Sequence, residues 1–467
     1  MGPVGRETAS IAVGWRDCQG RFVPQVVATK ELVHHRRMRT NIPVLLWSAG
    51  VLALAASGRS QAQQPAVTAP TFSKHVAPIL FKHCSTCHRP GEAAPMSLLT
   101  YEQARPYARA IASAVTNRTM PPWHADAPAG TFHNERVLSD RERDTLTAWA
   151  AGGAPNGDPK DLPMQPVFES GWSLGKPDVV LEMLEDYRVP AKGTVQYEWF
   201  YIPTNFSEPK WVKSIDIRPG DRSVVHHVLV YYRAKPDGKT PPIARGNQKD
   251  QSNPPPDEPG ISEHPRRSDL NAMPPRLVAT YAPGTNQQVA PAGTAFRLEP
   301  GGILELQMHY TASGKAATDR TRVGITFSTD PSPREMRAQH FMNLTMKLPA
   351  RAANVAVTTD LEFVQDATVW GLFPHTHLRG KRWMYQLRLP NGETKPILSV
   401  PKYDFNWQTY YMFKEPLQVP KGSKIISTAW YDNSAANKSN PNPDVDVLWG
   451  DQTWQEMQYT GVLLSAK

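Results

Sequence analysis

Residues 303–311 have the sequence ILELQMHYT, in which apolar and polar side chains alternate. Successive residues of a β-strand point to opposite faces of its sheet, so the three polar residues Glu305, Gln307 and His309 share one face. This pattern predicts a strand with one core face and one face toward a cleft or solvent. Similar short runs, separated by turns rich in Pro, Gly and Asn, continue from residue 176 to residue 467 and predict an all-β region.

The composition supports β-structure over a helical bundle. The chain has 467 residues, enough for several domains of roughly 150 residues each. It contains 45 prolines, a density about twice the usual roughly 5%, and proline breaks helices and removes ladder donors. The net charge of +9 includes eight Lys or Arg against three Asp or Glu before residue 63, so the remainder is only mildly basic. This excludes a nucleic-acid-binding surface.

An export signal lies near the N-terminus. Residues 42–56, IPVLLWSAGVLALAA, form an uncharged apolar run after three arginines. Fifteen residues are fewer than the roughly 20 that span a bilayer, and residues 60–62 offer a cleavage site between small residues. We therefore predict a signal peptide over 38–62 that starts at Met38, with residues 1–37 a mis-annotated extension. The protein is expected in the periplasm or secreted, without a stable membrane span; an uncleaved anchor is the alternative.

Two cysteines remain after cleavage, in Cys84-Ser85-Thr86-Cys87-His88. This is the attachment pattern of a c-type haem, in which Cys84 and Cys87 form thioethers and His88 is the iron ligand. A thioredoxin-like redox pair is the alternative, but that motif has no use for His88. No structural disulfide framework is expected.

The haem segment is predicted to cover residues 70–160. Its last part, LSDRERDTLTAWAAGGAP, predicts a helix that Ser139 or Asp140 caps, with Leu146 and Trp149 on one face. Two glycines then end the helix.

This segment resembles the class I cytochrome c fold, a small all-α domain with one covalent haem c. The resemblance implies that His88 and Met120 ligate the iron, because Met120 lies in the stiff sequence RTMPPWHA upstream of that helix. Met96 is the alternative sixth ligand. The other histidines of the segment are expected to be surface residues rather than ligands: His75, His83, His124 and His133.

Four runs in the β-rich part carry metal-ligand side chains. They are VVHHVLVYY, ILELQMHYT, FPHTHLRG and TWQEMQYTG, which contain His226, His227, His309, His375, His377 and Met457. Each histidine alone is compatible with an ordinary core or surface position. Together, five imidazoles and one thioether suit copper better than zinc or magnesium, and a zinc hydrolase would leave Met457 without a role.

The spacing of these histidines limits how they can share a metal ion. His375 and His377 are two residues apart and lie on one strand face. His226 and His227 are adjacent and point to opposite faces, so both reach one metal only at a bulge or a strand end.

In this order, the motifs resemble the copper type II, ascorbate-dependent monooxygenases, the family of peptidylglycine α-hydroxylating and dopamine β-monooxygenases. The resemblance covers residues 176–467 and implies two jelly-roll sandwiches, predicted here at 176–347 and 348–467. It assigns His226, His227 and His309 to an electron-transfer copper, and His375, His377 and Met457 to the copper where oxygen binds and a C–H bond is hydroxylated. Gln307, which we count among the catalytic residues, matches a residue of the family proposed to help electrons or substrate across the cleft.

Two departures from the family concern the substrate. Where the peptide hydroxylase has an Arg and a Tyr that hold a peptide carboxylate, this chain has Phe373 and Gly461. The disulfides of the family are also absent. The predicted function is an exported haem- and copper-containing monooxygenase that uses O2, a small organic substrate and a reductant or redox partner protein. The alternatives are a non-enzymatic electron-transfer or copper-binding protein, and an unrelated β-protein or hydrolase with a haem.

The Pro-rich stretch 234–295 is expected to be a long loop between strands.

Overall fold

The computed structural model describes residues 70–168 apart from 91, 93 and 95, and then residues 171–235, 275–282 and 287–467. Outside these ranges it describes only the backbone of three short strands: β1 (Trp15–Arg16), β2 (Phe22–Val23) and β8 (Ala244–Gly246). The predicted extension 1–37 and signal peptide 38–62 lie outside the described residues, except that β1 and β2 pair antiparallel.

The chain divides into two compact units, Met1–Ala69 and Pro70–Lys467. Among the helices that the structure describes, none has the length and apolar character needed to cross a membrane.

The second unit begins with a helical part. Its elements are a π-helical turn Phe72–Val76, α1 (Ala77–His83), α2 (Tyr101–Ala104), a 3₁₀ turn Arg105–Tyr107, α3 (Ala108–Thr116), α4 (Asp140–Ala151) and a 3₁₀ turn Pro159–Asp161.

The last long helix follows the sequence prediction. Ser139 caps α4 and forms a reciprocal capping box with Glu142, and Gly152 is the C-cap. Leu146 and Trp149 are fully buried in the core of the helical part. The predicted helix over this stretch is confirmed.

The rest of the unit is mostly β-structure. Its strands are β3 (Val179–Glu182), β4 (Tyr187–Val189), β5 (Glu198–Pro203), β6 (Lys210–Arg218), β7 (Val225–Arg233), β9 (Pro275–Tyr281), β10 (Gln287–Val289), β11 (Thr294–Leu298), β12 (Ile303–Tyr310), β13 (Ala317–Asp319), β14 (Arg322–Phe327), β15 (Arg334–Met342), β16 (Lys347–Leu348), β17 (Val355–Phe363), β18 (Ala367–His375), β19 (Gly380–Arg388), β20 (Thr394–Val400), β21 (Tyr411–Val419), β22 (Lys424–Tyr431), β23 (Val447–Leu448) and β24 (Tyr459–Ala466).

Three larger sheets contain most of these strands, and the pairs β4–β13 and β16–β23 form two-stranded sheets. A nine-stranded sheet has the order β21-β18-β24-β15-β11-β6-β14-β3, with β10 also paired to β6; a four-stranded sheet has the order β5-β12-β7-β9, and a five-stranded sheet the order β20-β19-β22-β17-β8. Pairing of β24 with β15 carries the large sheet across the predicted domain boundary at residues 347 and 348.

Two hydrophobic clusters fill the space between the sheets. The first lies between the four-stranded sheet and the β3–β11 end of the large sheet, and the second lies between the five-stranded sheet and its β18–β24 end. Burial of apolar side chains between paired sheets is the main stabilising contribution of such layers. The predicted mostly β architecture after residue 176 is confirmed at this level.

The loop predicted over 234–295 is wrong in part. Pro275–Tyr281 forms β9, which pairs antiparallel with β7, and β10 and the start of β11 also fall in this stretch. Proline stands at the first position of β9, where a missing N–H is tolerated.

Candidate metal centre

The first three histidines come together through a bulge. His227 of β7 lies opposite His309 of β12, but the next pair is Val225 with Tyr310, so His226 is the extra residue. A bulge re-aims side chains and lets two consecutive residues approach one point. The strand therefore contains the bulge that adjacent residues such as His226 and His227 need if both are to reach one metal ion.

The three side chains form a compact group, here called the triad (His226, His227 and His309). One ring nitrogen from each lies within 4.8 Å of the others. The Nδ1 atom of His227 is 3.2 Å from Nδ1 of His226 and 3.4 Å from Nδ1 of His309. Imidazole nitrogens at such separations can bind a single transition-metal ion.

Burial keeps the triad uncharged. It lowers the pKa of His226 to about 4 and that of His309 to about 3. Burial also lowers the pKa of His227, and repulsion from the neighbouring histidines lowers it further. At neutral pH these rings keep a free lone pair, which metal ligation requires.

The second group, here called the pair site (His375, His377 and Met457), lies where β18 and β24 begin to separate. His375 is opposite Tyr459 in that ladder. The backbones of His377 and Met457 are linked, because the Glu456 carboxylate accepts the N–H groups of both. All three side chains are buried.

Both histidines of the pair site are held through Nδ1. This atom of His375 is 2.5 Å from the Gln408 amide oxygen, and that of His377 is 3.3 Å from the backbone oxygen of Gln455. Because a carbonyl oxygen only accepts, each Nδ1 carries the proton and each Nε2 keeps its lone pair. Burial lowers the pKa of His375 to about 4 and that of His377 well below its usual range.

A buried carboxylate joins His377 to Met457. Glu456 Oε2 accepts the backbone N–H groups of His377 at 2.9 Å and Met457 at 3.2 Å, and Oε1 accepts that of Arg379 at 2.6 Å. Burial raises the pKa of Glu456 to about 7, although these hydrogen bonds and the Arg379 charge oppose the shift. Glu456 therefore fixes the backbone positions of two predicted ligands, His377 and Met457.

The triad and the pair site are close neighbours. The ring of Tyr197 is 4.8 Å from His309 and 6.4 Å from His377, centroid to centroid. The ring of Phe405 is likewise 5.8 Å from His226 and 6.1 Å from His377. Two aromatic side chains thus contact both groups.

Two ring nitrogens in this region lack hydrogen-bond partners. Nε2 of His227 and Nε2 of His377 are buried without a partner among the residues that the structure describes. An unpaired buried polar atom costs about 1–3 kcal/mol. Nε2 of His377 is therefore a candidate for metal contact, because Nδ1 of the same ring faces the Gln455 oxygen; His227 meets the other two rings of the triad through Nδ1 instead.

Gln307 is buried in β12, on the face that also carries Glu305 and His309. Glu305 is occupied by an ion pair with Arg233 of β7. The catalytic role assigned to Gln307 stays a prediction.

The Cys84–His88 motif forms a tight turn after α1. The backbone N–H groups of Cys87 and His88 both donate to the Cys84 carbonyl oxygen, at 3.1 and 2.9 Å. Burial raises the pKa of Cys84 to about 12 and also raises that of Cys87, so both are protonated thiols. The His88 Nδ1 lies 3.3 Å from the backbone oxygen of Met96.

The two candidate sixth ligands have different surroundings. Met120 is 44% exposed, whereas Met96 packs against the core of the helical part. The Met96 backbone oxygen lies against Nδ1 of His88. The choice of Met120 over Met96 as the second iron ligand stays a prediction.

The four histidines expected at the surface have mixed environments. His83 Nε2 is 3.0 Å from Glu142, and His75 Nδ1 accepts from the Thr71 backbone. His133 donates its backbone N–H to Met412. His124 differs, because its Nε2 is buried without a partner among the described residues.

Several site residues were missed by the sequence analysis: Tyr197, Phe405, Gln408 and Glu456. The run YDFNWQTYY at residues 403–411 is unusually aromatic, and this was the one available signal. Nothing in the sequence indicates which metal-ligand group each of its residues contacts.

No family model matches the chain, and no curated protein does. Among solved structures it is similar to the major capsid protein P2 from bacteriophage PM2, with 8% identity over 62% of this chain and 97% of that chain and a TM-score of 0.26. Allantoicase from Saccharomyces cerevisiae shares 8% identity over 60% and 80% of the two chains at a TM-score of 0.17. The VP2 subviral particle of infectious bursal disease virus shares 8% over 64% and 74% at 0.18. Similarity at these TM-scores carries no argument about function.

Proposed function

We propose that this protein is an exported monooxygenase with one covalent haem c and two copper ions, which hydroxylates a C–H bond of a small organic substrate with O2. The observation that carries the proposal is the meeting of five histidines in one buried region, with three ring nitrogens of the triad within 4.8 Å of one another. In this proposal the triad holds the electron-transfer copper, and the pair site holds the copper at which oxygen reacts.

The donor atoms suit copper. All five imidazoles have pKa values lowered by burial, so their lone pairs are free at neutral pH. The unpartnered Nε2 atom of His377 would gain a partner on metal binding, whereas His227 faces its neighbours in the triad with Nδ1. The thioether of Met457 is a soft donor, which favours the cuprous state. Bound copper supplies one-electron chemistry; the chain orients the rings through Gln408, Gln455 and Glu456.

The helical part fits a haem c. Its turn presents two thiols and a histidine whose Nδ1 is already fixed by the Met96 carbonyl, as expected for an iron ligand with a defined tautomer. His88 and Met120 are the residues that would hold the haem iron, within a class I cytochrome c fold. A haem so ligated supplies single electrons at a comparatively high potential.

The large sheet packs against the four-stranded sheet at one end and against the five-stranded sheet at the other. We assign these two packed regions to the paired jelly-roll domains of the copper type II monooxygenase family. The protein is proposed to act in the periplasm or as a secreted protein, after removal of residues up to Ala62. Electrons come from the haem segment or from an ascorbate-like donor.

The test is metal and haem analysis of protein matured in a periplasm that attaches haem. One covalent haem and two coppers per chain, together with O2 consumption that depends on a reductant and a substrate, are expected. Zinc in place of copper would contradict the proposal. Full copper and haem loading without O2 consumption for any substrate class would instead favour a non-enzymatic electron-transfer protein.

A further inference from the structure

One loop contacts both metal-ligand groups. Residues 403–408 lie in the connection between β20 and β21 and are here called the coupling loop. The Tyr403 hydroxyl donates to the carbonyl of Thr376 at 2.9 Å and accepts its N–H at 3.1 Å, between the two histidines of the pair site. The ring of Phe405 contacts both groups, Asn406 hydrogen-bonds to His226, and Gln408 bonds to His375.

The same loop contacts the helical part. The guanidinium carbon of Arg136 lies 5.0 Å from the centre of the Trp407 ring, a cation–π contact. Arg136 also hydrogen-bonds to the side chain of Cys87. The indole of Trp407 is therefore one residue from the haem-attachment cysteine, and it is covalently adjacent to Gln408.

A second contact fixes the helical part beside the triad strand. Glu92, four residues after His88, forms an ion pair with Arg222. Arg222 lies in the turn that leads directly into β7, the strand of His226 and His227. Two independent links thus hold the Cys84–His88 turn against the histidine region.

We propose that Trp407 is the route by which electrons pass from the haem segment to the histidine groups. This rests on the proposed function, because it requires haem and copper at the assigned residues. One electron leaves a ferrous haem and one cupric ion becomes cuprous; no bond is formed or broken and no proton is transferred. Electron transfer slows steeply as the gap between donor and acceptor widens. Contacts run from Cys87 through Arg136 to Trp407. The chain neighbours of Trp407 then bond to both groups: Asn406 to His226 of the triad and Gln408 to His375 of the pair site.

The experiment uses the full chain with haem attached and both coppers loaded as Cu(II), without oxygen or substrate. Flash photoreduction of the haem starts the reaction, and the loss of ferrous-haem absorbance is followed. The unaltered protein is expected to show a fast phase of haem oxidation that disappears when copper is removed. Trp407→Leu is expected to lose this phase, whereas Trp407→Phe, which keeps an aromatic ring, retains most of it.

Trp430 provides the matched control. It also packs against an arginine, Arg382 at 4.2 Å, but it lies in β22 outside the coupling loop. Trp430→Leu is expected to keep the fast phase. Haem spectrum and copper content are measured on every variant, because a merely structural role would change these before it changed the transfer rate.

Arg136→Gln is the second variant, in case Trp407→Leu does not fold. This variant keeps the indole but removes the guanidinium group between Cys87 and Trp407. The fast phase of haem oxidation is therefore expected to become slower. A full-speed fast phase in a copper-loaded Trp407→Leu or Arg136→Gln protein would overturn the route, as would the absence of any copper-dependent phase in the unaltered protein. A normal fast phase without substrate hydroxylation would refute the monooxygenase and leave the route intact.

Discussion

Removal of the Gln408 amide oxygen is expected to weaken copper binding at the pair site. This oxygen lies 2.5 Å from Nδ1 of His375 and holds the ring as the tautomer with a free Nε2. Gln408→Leu keeps a similar side-chain volume but offers no acceptor. The ring can then rotate or exchange tautomers, and part of the population presents the wrong nitrogen.

The size of the effect follows from the contact. Loss of a hydrogen-bond partner behind a metal-ligating histidine typically lowers metal affinity by about 10- to 100-fold. Since each tenfold change is about 1.4 kcal/mol, this corresponds to roughly 1.4–2.8 kcal/mol. A buried N–H left without an acceptor costs about 1–3 kcal/mol, which agrees with that range.

The measurement is a copper titration of the full chain against a competing chelator, with the occupancy of the two groups resolved spectroscopically. Gln408 also donates to the Phe405 carbonyl at 2.9 Å. Gln408→Glu keeps the acceptor and loses this donor, so it separates the two contacts and is expected to bind copper nearly normally at the pair site. Gln165→Leu alters an exposed glutamine in the helical part and serves as the matched control.

Unchanged affinity at the pair site in Gln408→Leu would refute the reasoning. An equal loss at the triad would show that the two groups bind copper as one unit rather than as separate sites.

Four further outcomes are expected. Met457→Ala abolishes hydroxylation but leaves the haem spectrum intact; a collapsed haem spectrum would show that the iron ligand is misassigned. Glycine-extended peptides are not turned over, because Phe373 cannot bind a carboxylate and a Cβ at Gly461 would lie 2.9 Å from that of Phe373; efficient turnover in a kinetic assay would contradict this. Burial lowers the pKa of His340 to about 3, whereas the same side chain has a pKa of about 6.5 in the unfolded chain. As the pH falls below about 6.5, the unfolded chain therefore binds a proton that the folded chain does not, and the free energy of unfolding decreases, by roughly 2 kcal/mol at about pH 5. This decrease is expected to be absent in His340→Phe when the free energy of unfolding in denaturant is compared at about pH 7.5 and about pH 5. A decrease in His340→Phe as large as that in the unaltered protein would argue against the reasoning. N-terminal sequencing of exported protein should begin close to Gln63, and recovery of the first residues of the chain would rule this out.

Local patterns predicted the elements well where one rule decides the structure. The alternation in residues 303–311 predicted β12, and Leu304, Leu306 and Met308 are indeed fully buried. Ser139 begins and Gly152 ends the last helix as expected, because capping satisfies backbone groups only a few residues away.

Predictions were less complete where the structure of a segment depends on the distant part of the chain with which it pairs or packs. The polar face of β12 was expected to meet a cleft or solvent, yet Glu305 and Gln307 are 3% and 5% exposed. The Pro-rich stretch concealed β9, since the pairing with β7 that forms this strand joins residues about 50 positions apart.

The sequence by itself determined the types of candidate ligand and their order along the chain: the Cys84–His88 motif, the histidine-bearing strand patterns and Met457. These follow from side-chain chemistry and from the period of two in a strand. Only the tertiary structure decided that a bulge at His226 lets the triad form, that Gln408 and Glu456 hold the pair site, and that Tyr197 and Phe405 lie against both groups. The reason is physical: these contacts join segments that are far apart in the chain, and their geometry is set by sheet register and packing, which no local pattern encodes.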